Sequence, residues 1–180
     1  MPVKASVVIP VKNGGDLLID VLKQVLDQQT PWSFEVLVID SGSRDGSPYR
    51  TRELGVKVHE IKPEEFGHGK TRNLGVELSN GEFIVFITQD ALPTNQHWLA
   101  NLVAAAELES NVAGAFGRHQ AYPGAGPVVT RELDLHFRGF GEKPNSVCME
   151  DSERYWREVG YRQFLHFFSS NNACIRRSVW

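Results

Sequence analysis

Three things are scarce in this chain: excess positive charge, cysteine, and long apolar runs. Its 19 lysines and arginines face 22 acids, a net charge of −3. Bulk electrostatics therefore gives it no pull on nucleic acid, and none is expected as a partner. The two cysteines, Cys148 and Cys174, have neither metal nor redox spacing. They predict two inert thiols in a reducing cytoplasm rather than a disulfide framework. No basic stretch precedes an apolar run at the start, and no run approaches the roughly 20 apolar residues of a membrane span. The expectation is a chain without a leader peptide and without a spanning helix. Repeats and low-complexity tracts are missing too. The six histidines show no H-E-x-x-H or other paired spacing, so each reads as a surface or hydrogen-bonded residue rather than a zinc ligand.

What is present suits a globular fold. At 180 residues, 41% hydrophobic and 23% charged, the chain is long and apolar enough for one domain with a real core. "ASVVIPV" (5–11) is a short β-branched run ended by Pro10 and "KNGG", which predicts a buried strand and a loop. Asp16 is placed to cap a following helix, whose apolar stripe is Leu17, Leu18, Val21, Leu22, Val25 and Leu26. "FEVLVID" (34–40) predicts a second strand, 48–54 a short helix, "VKVHEI" (56–61) a third strand and "KTRNLGVELS" (70–79) a helix. "EFIVFIT" (82–88), "QHWLANLVAAAELE" (96–109) and "VAGAFGR" (112–118) predict a strand, a helix and a fifth strand. Such alternation with short links is the signature of an α/β fold with a parallel sheet and helices on both faces. Beyond residue 120 the rhythm is lost. Eleven of the eighteen aromatic residues fall at or after Phe116. That is too apolar for a disordered tail and predicts a helical cover, an acceptor-binding flap or a membrane-facing surface.

In open parallel sheets ligands bind at the carboxyl ends of the strands. Asp40 and Asp90 both end predicted strands. A buried unpaired carboxylate costs several kcal/mol, so Asp90, closing so apolar a run, is expected at an open rim facing something positive. "GHGKT" (67–71) has the tail of a phosphate-binding loop, yet the position of the first glycine is Glu64, an anion where a phosphate would lie. "KNGGD" after the first strand lacks the dinucleotide fingerprint. What remains is a set of rim pieces: Pro10 and Asn13; Asp40 with Gly42, Asp45 and Gly46; Gly67, Gly69, Arg72 and Asn73; Gln89 and Asp90. Singly each has a structural explanation, as a turn former, a surface ion pair or a cap. Together they describe a ligand-binding edge.

Four blocks, in order and spacing, carry a resemblance: "SVVIPVKN", "VLVIDSGSRDGS", "GKTRNLGVELSNGEFIVFITQDALP" and "SSNNACIRRSVW". With them the chain resembles the family 2 inverting glycosyltransferases of the GT-A fold, and its "TQDA" is similar to the bacterial rhamnosyltransferases among them. The resemblance implies a three-layer sandwich around a mainly parallel, Rossmann-like sheet. It implies one GT-A domain over 1–180, with a nucleotide-binding part (1–118) and a partial acceptor-binding part (119–180). It implies a pyrimidine nucleotide-diphosphate donor (dTDP- or UDP-sugar), a glycan or lipid-linked acceptor, and cell-envelope polysaccharide synthesis. The location implied is the cytoplasm, peripheral at the inner membrane face, with room for a homodimer. Asp40 would accept the N3–H of the pyrimidine. Pro10, Val11 and Asn13 would lie beside base and ribose, with Gly42 in the same loop and Arg72 near the nucleotide. Asp90 would hold Mg²⁺ or Mn²⁺ on the diphosphate. Gln89 stands where many relatives carry a second acid, and would bond to ribose or metal-bound water. "FFSSNNA" (167–173) would run near the donor sugar, or else form a strand edge with a turn. The general base is expected past Trp180, which would make this a truncated catalytic domain, and Glu150-Asp151 is a decoy for it. Two rival readings are a non-catalytic sugar-nucleotide-binding module and a nucleotidyltransferase. The latter needs a Gly-rich loop with an arginine–lysine pair that "VKNGGD" lacks.

Overall fold

The computed structural model describes residues 2–141 and 145–180. Two compact units emerge. One runs to Phe116 and takes in Ser170–Trp180; the other is Gly117–Ser169. The last residues, expected in the acceptor part, therefore fold with the sheet.

The first unit is built on six strands: β1 (Ala5–Val11), β2 (Phe34–Asp40), β3 (Lys57–Glu60), β4 (Phe83–Ile87), β5 (Gly114–Phe116) and β6 (Asn172–Arg176). Their order is β3-β2-β1-β4-β6-β5. β1 is parallel to β2 and β4, and β2 to β3, while β6 is antiparallel to both β4 and β5. The expected parallel alternation is present, with one addition. β6 is an interior strand, with Ala173 and Cys174 fully buried, where the sequence suggested an edge with a turn. Burial pushes the Cys174 thiol up to about 12, so it is inert as expected, whereas Cys148 is exposed.

Side-chain alternation along the strands makes three layers. Val7, Ile9 and Val11 of β1 pack on one face with Leu18, Leu22 and Val25 of α1 (Gly15–Leu26) and Leu99, Leu102 and Val103 of α4 (Trp98–Ala106). Val8, Leu37, Ile39, Ile84 and Phe86 point the other way, toward Val76 of α3 (His68–Glu77). α2 (Ser47–Glu53) follows the loop after β2. Two apolar residues of the predicted α1 stripe, Leu17 and Leu26, are exposed, and Ile19 is buried instead.

The amino ends of the strands carry a polar anchor. Ser6 is fully buried; its hydroxyl donates to Glu35 Oε1 at 2.7 Å and accepts from Gly81 N–H at 2.8 Å. Asn80 N–H donates to the same Glu35 oxygen at 2.6 Å. Burial opposes the Glu35 charge, and the bonds from Ser6 and Asn80 overcome it, holding its carboxyl below the usual range.

The second unit contains α5 (Pro127–Arg138), α6 (Ser152–Arg157) and α7 (Val159–His166). Phe137, Phe140, Phe164, Phe167 and His136 form its aromatic cluster, which explains the aromatic bias seen in the sequence. Asp151 caps α6 by accepting Arg154 N–H at 2.8 Å, a structural role for half of the Glu150-Asp151 decoy. Among the described residues no helix is long and apolar enough to cross a membrane.

Candidate functional site

Because β2 and β4 flank β1, three carboxyl ends lie side by side. At the spacing of neighbouring strands, the β2 and β4 backbones stand about 10 Å apart. Pro10 is level with Ile39, and Val11 with Asp40. Val11 O accepts both Ser41 N–H and Ser41 Oγ–H at 2.9 Å. The loops beyond are tied together. Asn13, at φ 49, takes the left-handed conformation that asparagine tolerates best after glycine. There its N–H donates to Ser43 Oγ at 2.7 Å and its Oδ1 accepts Arg44 N–H at 2.8 Å. Asp45 Oδ2 accepts Gly15 N–H at 2.9 Å. The first turn of α1 is thus held from a distant loop, and the expected cap Asp16 makes no capping bond. Asp16 instead pairs with Arg50 at 2.8 Å, an exposed pair of little weight. Burial opposes the Asp45 charge, but bonds from the Ser47 hydroxyl, Ser47 N–H and Gly15 N–H hold its carboxyl below the usual range.

Asp40 ends β2 as expected, and its carboxyl is engaged within its own loop. It is fully buried. Its Oδ1 accepts Gly42 N–H at 2.9 Å and Ser43 N–H at 2.8 Å, and its Oδ2 accepts the Ser43 hydroxyl at 2.5 Å. Three of a carboxylate's roughly four acceptor directions are spent inside its own loop. Asp40 therefore shapes the loop, with one acceptor direction left over. Gly42, at φ 80, supplies the left-handed turn that brings its N–H onto that carboxyl.

Gln89 is engaged as well. Its Oε1 accepts Lys12 N–H at 2.8 Å and its Nε2 donates to Lys12 O at 3.2 Å. The amide is thus bonded to the backbone of the residue that follows β1. Lys12 reaches the other way, its ammonium donating to Ser41 O and Gly42 O, each at 2.7 Å. Asp90, next along, is exposed as expected.

Arg72 lies in α3, its guanidinium 5.8 Å from the ring centre of Phe86 near the end of β4. Nη1 donates to His68 O at 2.9 Å, while Nε is buried without a hydrogen-bond partner among the described residues. Burial pulls its guanidinium below the ordinary arginine value. Such a cation gains from an anion brought to it. "GHGKT" spans the cap and first turn of α3, with Gly67 N–H donating to Thr71 Oγ1 at 3.3 Å.

The structure thus brings Pro10, Val11, Asn13, Asp40, Gly42 and Gln89 to one rim. Asp90 adjoins it, and Arg72 lies beside Phe86. Sequence reasoning missed Lys12 and Ser43. A lone lysine and serine in loops give no periodic signal, and their bonds run to segments about 30 positions away.

The family profile described as glycosyl transferase family 2 matches residues 6–177. The chain belongs to glycosyl transferase family 2. It is 31% identical over 179 residues to the O-antigen chain rhamnosyltransferase RfbN of Salmonella typhimurium, covering 98% of this chain and 54% of that protein. The chain thus spans about half the length of this relative. Among solved structures, TarS 1–349 of S. aureus in complex with UDP-GlcNAc superposes with a TM-score of 0.67 at 21% identity, over 97% of this chain and 46% of that one. The mannosyltransferase PcManGT of Pyrobaculum calidifontis, in complex with GDP-Man and Mn²⁺, superposes at 0.57 with 24% identity, over 66% of this chain and 38% of that one. The fold of this family 2 chain is that of the GT-A glycosyltransferases.

Proposed function

We propose that this family 2 chain carries the donor site of an inverting glycosyltransferase. It would move a sugar, rhamnose by its likeness to RfbN, from a dTDP- or UDP-linked donor to a glycan or lipid-linked acceptor of a cell-envelope polysaccharide. The observation that carries the reading is the rim itself. Loops from β1 and β2 are fastened into one surface, with an exposed carboxylate in the turn after β4 and, over Phe86, a half-buried arginine whose Nε has no hydrogen-bond partner among the described residues. The roles follow from chemistry. Arg72 would draw the diphosphate, and the Asn13–Gly42 surface would support base and ribose. Asp40 would keep that surface in shape rather than touch the base.

Among the described residues no three His, Cys, Asp or Glu side chains gather as a metal site. A hard cation such as Mg²⁺ keeps several waters and takes one or two carboxylates plus substrate phosphates, a part the exposed Asp90 carboxylate suits. Asp90 would hold it, or Mn²⁺ in its place. When bound, such a cation offsets the charge that builds on the leaving diphosphate. For the acceptor, inversion requires attack from the face opposite the diphosphate, with a base taking the hydroxyl proton. We also propose that the enzyme works at the inner membrane face.

A melting-temperature screen of UDP, dTDP, GDP and their sugar conjugates, with and without Mn²⁺, tests the reading. A rise with a pyrimidine diphosphate is expected, greater with Mn²⁺. Asp90→Ala should remove the increment due to the metal and leave the rest. A rise with GDP alone would contradict the donor class. No rise with any nucleotide would contradict the function.

A further inference from the structure

The backbone of β1 has a gap that a side chain closes. The paired positions of β1 and β4 stop at Val8–Phe86, and β4 itself ends at Ile87. Ala91 N–H then folds back on Thr88 O at 3.2 Å, so the chain beyond β4 turns away. Backbone groups two residues apart in a strand face the same neighbour. Lys12 N–H and C=O both face the β4 side, since Gln89, two residues past β4, bonds to both. Pro10 faces that side too, and has no N–H to give. Val11, between them, faces β2 and bonds to Ser41. The Gln89 amide, which presents its oxygen and one N–H of a planar group to Lys12, stands where the next peptide of β4 would have paired with it. From the same residue the Lys12 ammonium crosses to Ser41 O and Gly42 O. Lys12, the residue after β1, is thus bonded to β4's exit by its backbone and to β2's exit by its side chain.

We propose that Lys12 and Gln89 form a positioning clamp that sets the three strand ends for the donor nucleotide, with Gln89 acting on Lys12 and ligating neither metal nor nucleotide. The inference rests on the donor-site reading above. Only an amide satisfies the clamp at position 89. A glutamate could accept Lys12 N–H, but it would leave Lys12 O without its donor and set a negative charge against that carbonyl. If Gln89 were instead a ligand of the metal shell, the same glutamate would add charge to the cation site and tighten it. The two roles therefore give opposite signs for one substitution.

The test is calorimetric titration of the whole chain with UDP and dTDP, each with and without Mn²⁺. Gln89→Glu should bind the preferred nucleotide about tenfold more weakly in both conditions, as expected for a lost hydrogen bond and a stranded carbonyl. Lys12→Met, which keeps the backbone bonds and loses the ammonium, should weaken it by about fivefold or more. Lys12→Arg should restore affinity to within about threefold, a rescue that a merely space-filling stem would not need. Tighter Mn²⁺-dependent binding by Gln89→Glu would overturn the clamp, as would a Lys12→Met chain that binds like the wild type. If Gln89→Glu fails to fold, the two Lys12 variants decide, since that side chain is exposed. A wild type that binds neither nucleotide sinks the donor-site reading and the clamp with it. A wild type that binds, with variants that behave otherwise than stated, sinks the clamp alone.

Discussion

Asp40→Ala is expected to lose about 2–4 kcal/mol of stability and the whole nucleotide-dependent rise in Tm, while Asp40→Asn keeps most of both. The reason is what the carboxyl does in its loop. Alanine strands Gly42 N–H, Ser43 N–H and the Ser43 hydroxyl, donors of a half-buried loop that point inward at the fully buried Asp40. Each unsatisfied buried donor costs about 1–3 kcal/mol, and the loop recovers part of that by opening to water. Asparagine keeps an Oδ1 for the two backbone N–H groups and offers its amide to Ser43 Oγ as a donor, so the turn survives. A carboxyl that read the pyrimidine N3–H directly would behave otherwise. Its asparagine would set a donor against a donor and lose binding as fully as alanine. Chemical denaturation and nucleotide titration of both variants separate the cases. Equal loss of affinity in a well-folded Asn variant would return the base contact to Asp40.

Gly81→Ala should be the most damaging single methyl in the first unit. Its Cβ would lie 2.5 Å from Ser6 N, 2.6 Å from Ala5 C and 2.7 Å from Ser6 Oγ. Those are backbone atoms and a buried hydroxyl of β1, a strand paired on both sides and unable to retreat. Overpacking against a rigid core costs typically about 1–3 kcal/mol and more where nothing yields. Gly81→Ala also pushes on the Ser6–Glu35 anchor. A loss of about 3 kcal/mol or more is expected, a fall in Tm of about 6–12 °C for a chain of this size. Gly75→Ala is next, since its Cβ would meet Val8 Cγ1 at 2.4 Å, a branched side chain with little freedom. Gly69→Ala, with nothing within 4 Å, should instead stabilise α3 by up to about 1 kcal/mol. Thermal melts of the three variants check the order. A Gly81→Ala chain as stable as the wild type would mean that the close approach of residues 80–81 to β1 is wrong.

The sheet was legible because its strands announce themselves. "SVVIPV", "VLVID" and "FIVFI" are short β-branched or aromatic runs closed by turn residues, and each became a strand. β6 was not legible. "NACIR" is five residues of mixed polarity, and its place between β4 and β5 is set by a return of the chain from the other unit. Strand periodicity carries no trace of such a return. The rim was half legible. That acids and amides end β2 and β4 could be read directly. What each one touches could not, because the partners are backbone groups of other loops. Gln89 meets Lys12 across 77 positions. Asp45, not the adjacent Asp16, holds the start of α1 from 30 positions away. Asp40 ends its strand as the sequence indicates, but that its loop folds back over it leaves no mark in the sequence. Arg72 is the reverse case. Its place in α3 could be read from the sequence, but the buried Nε, without a partner among the described residues, could not.

The central claim is that the carboxyl ends of β1, β2 and β4 together hold a nucleotide diphosphate. A crystal grown with the preferred pyrimidine diphosphate and Mn²⁺ tests it most directly. The account expects the base against the Asn13–Gly42 surface, the diphosphate within reach of Arg72, and the cation bonded to Asp90, with Gln89 still on Lys12. A nucleotide seated on another face of the sheet, or a cation bound away from Asp90, would contradict it.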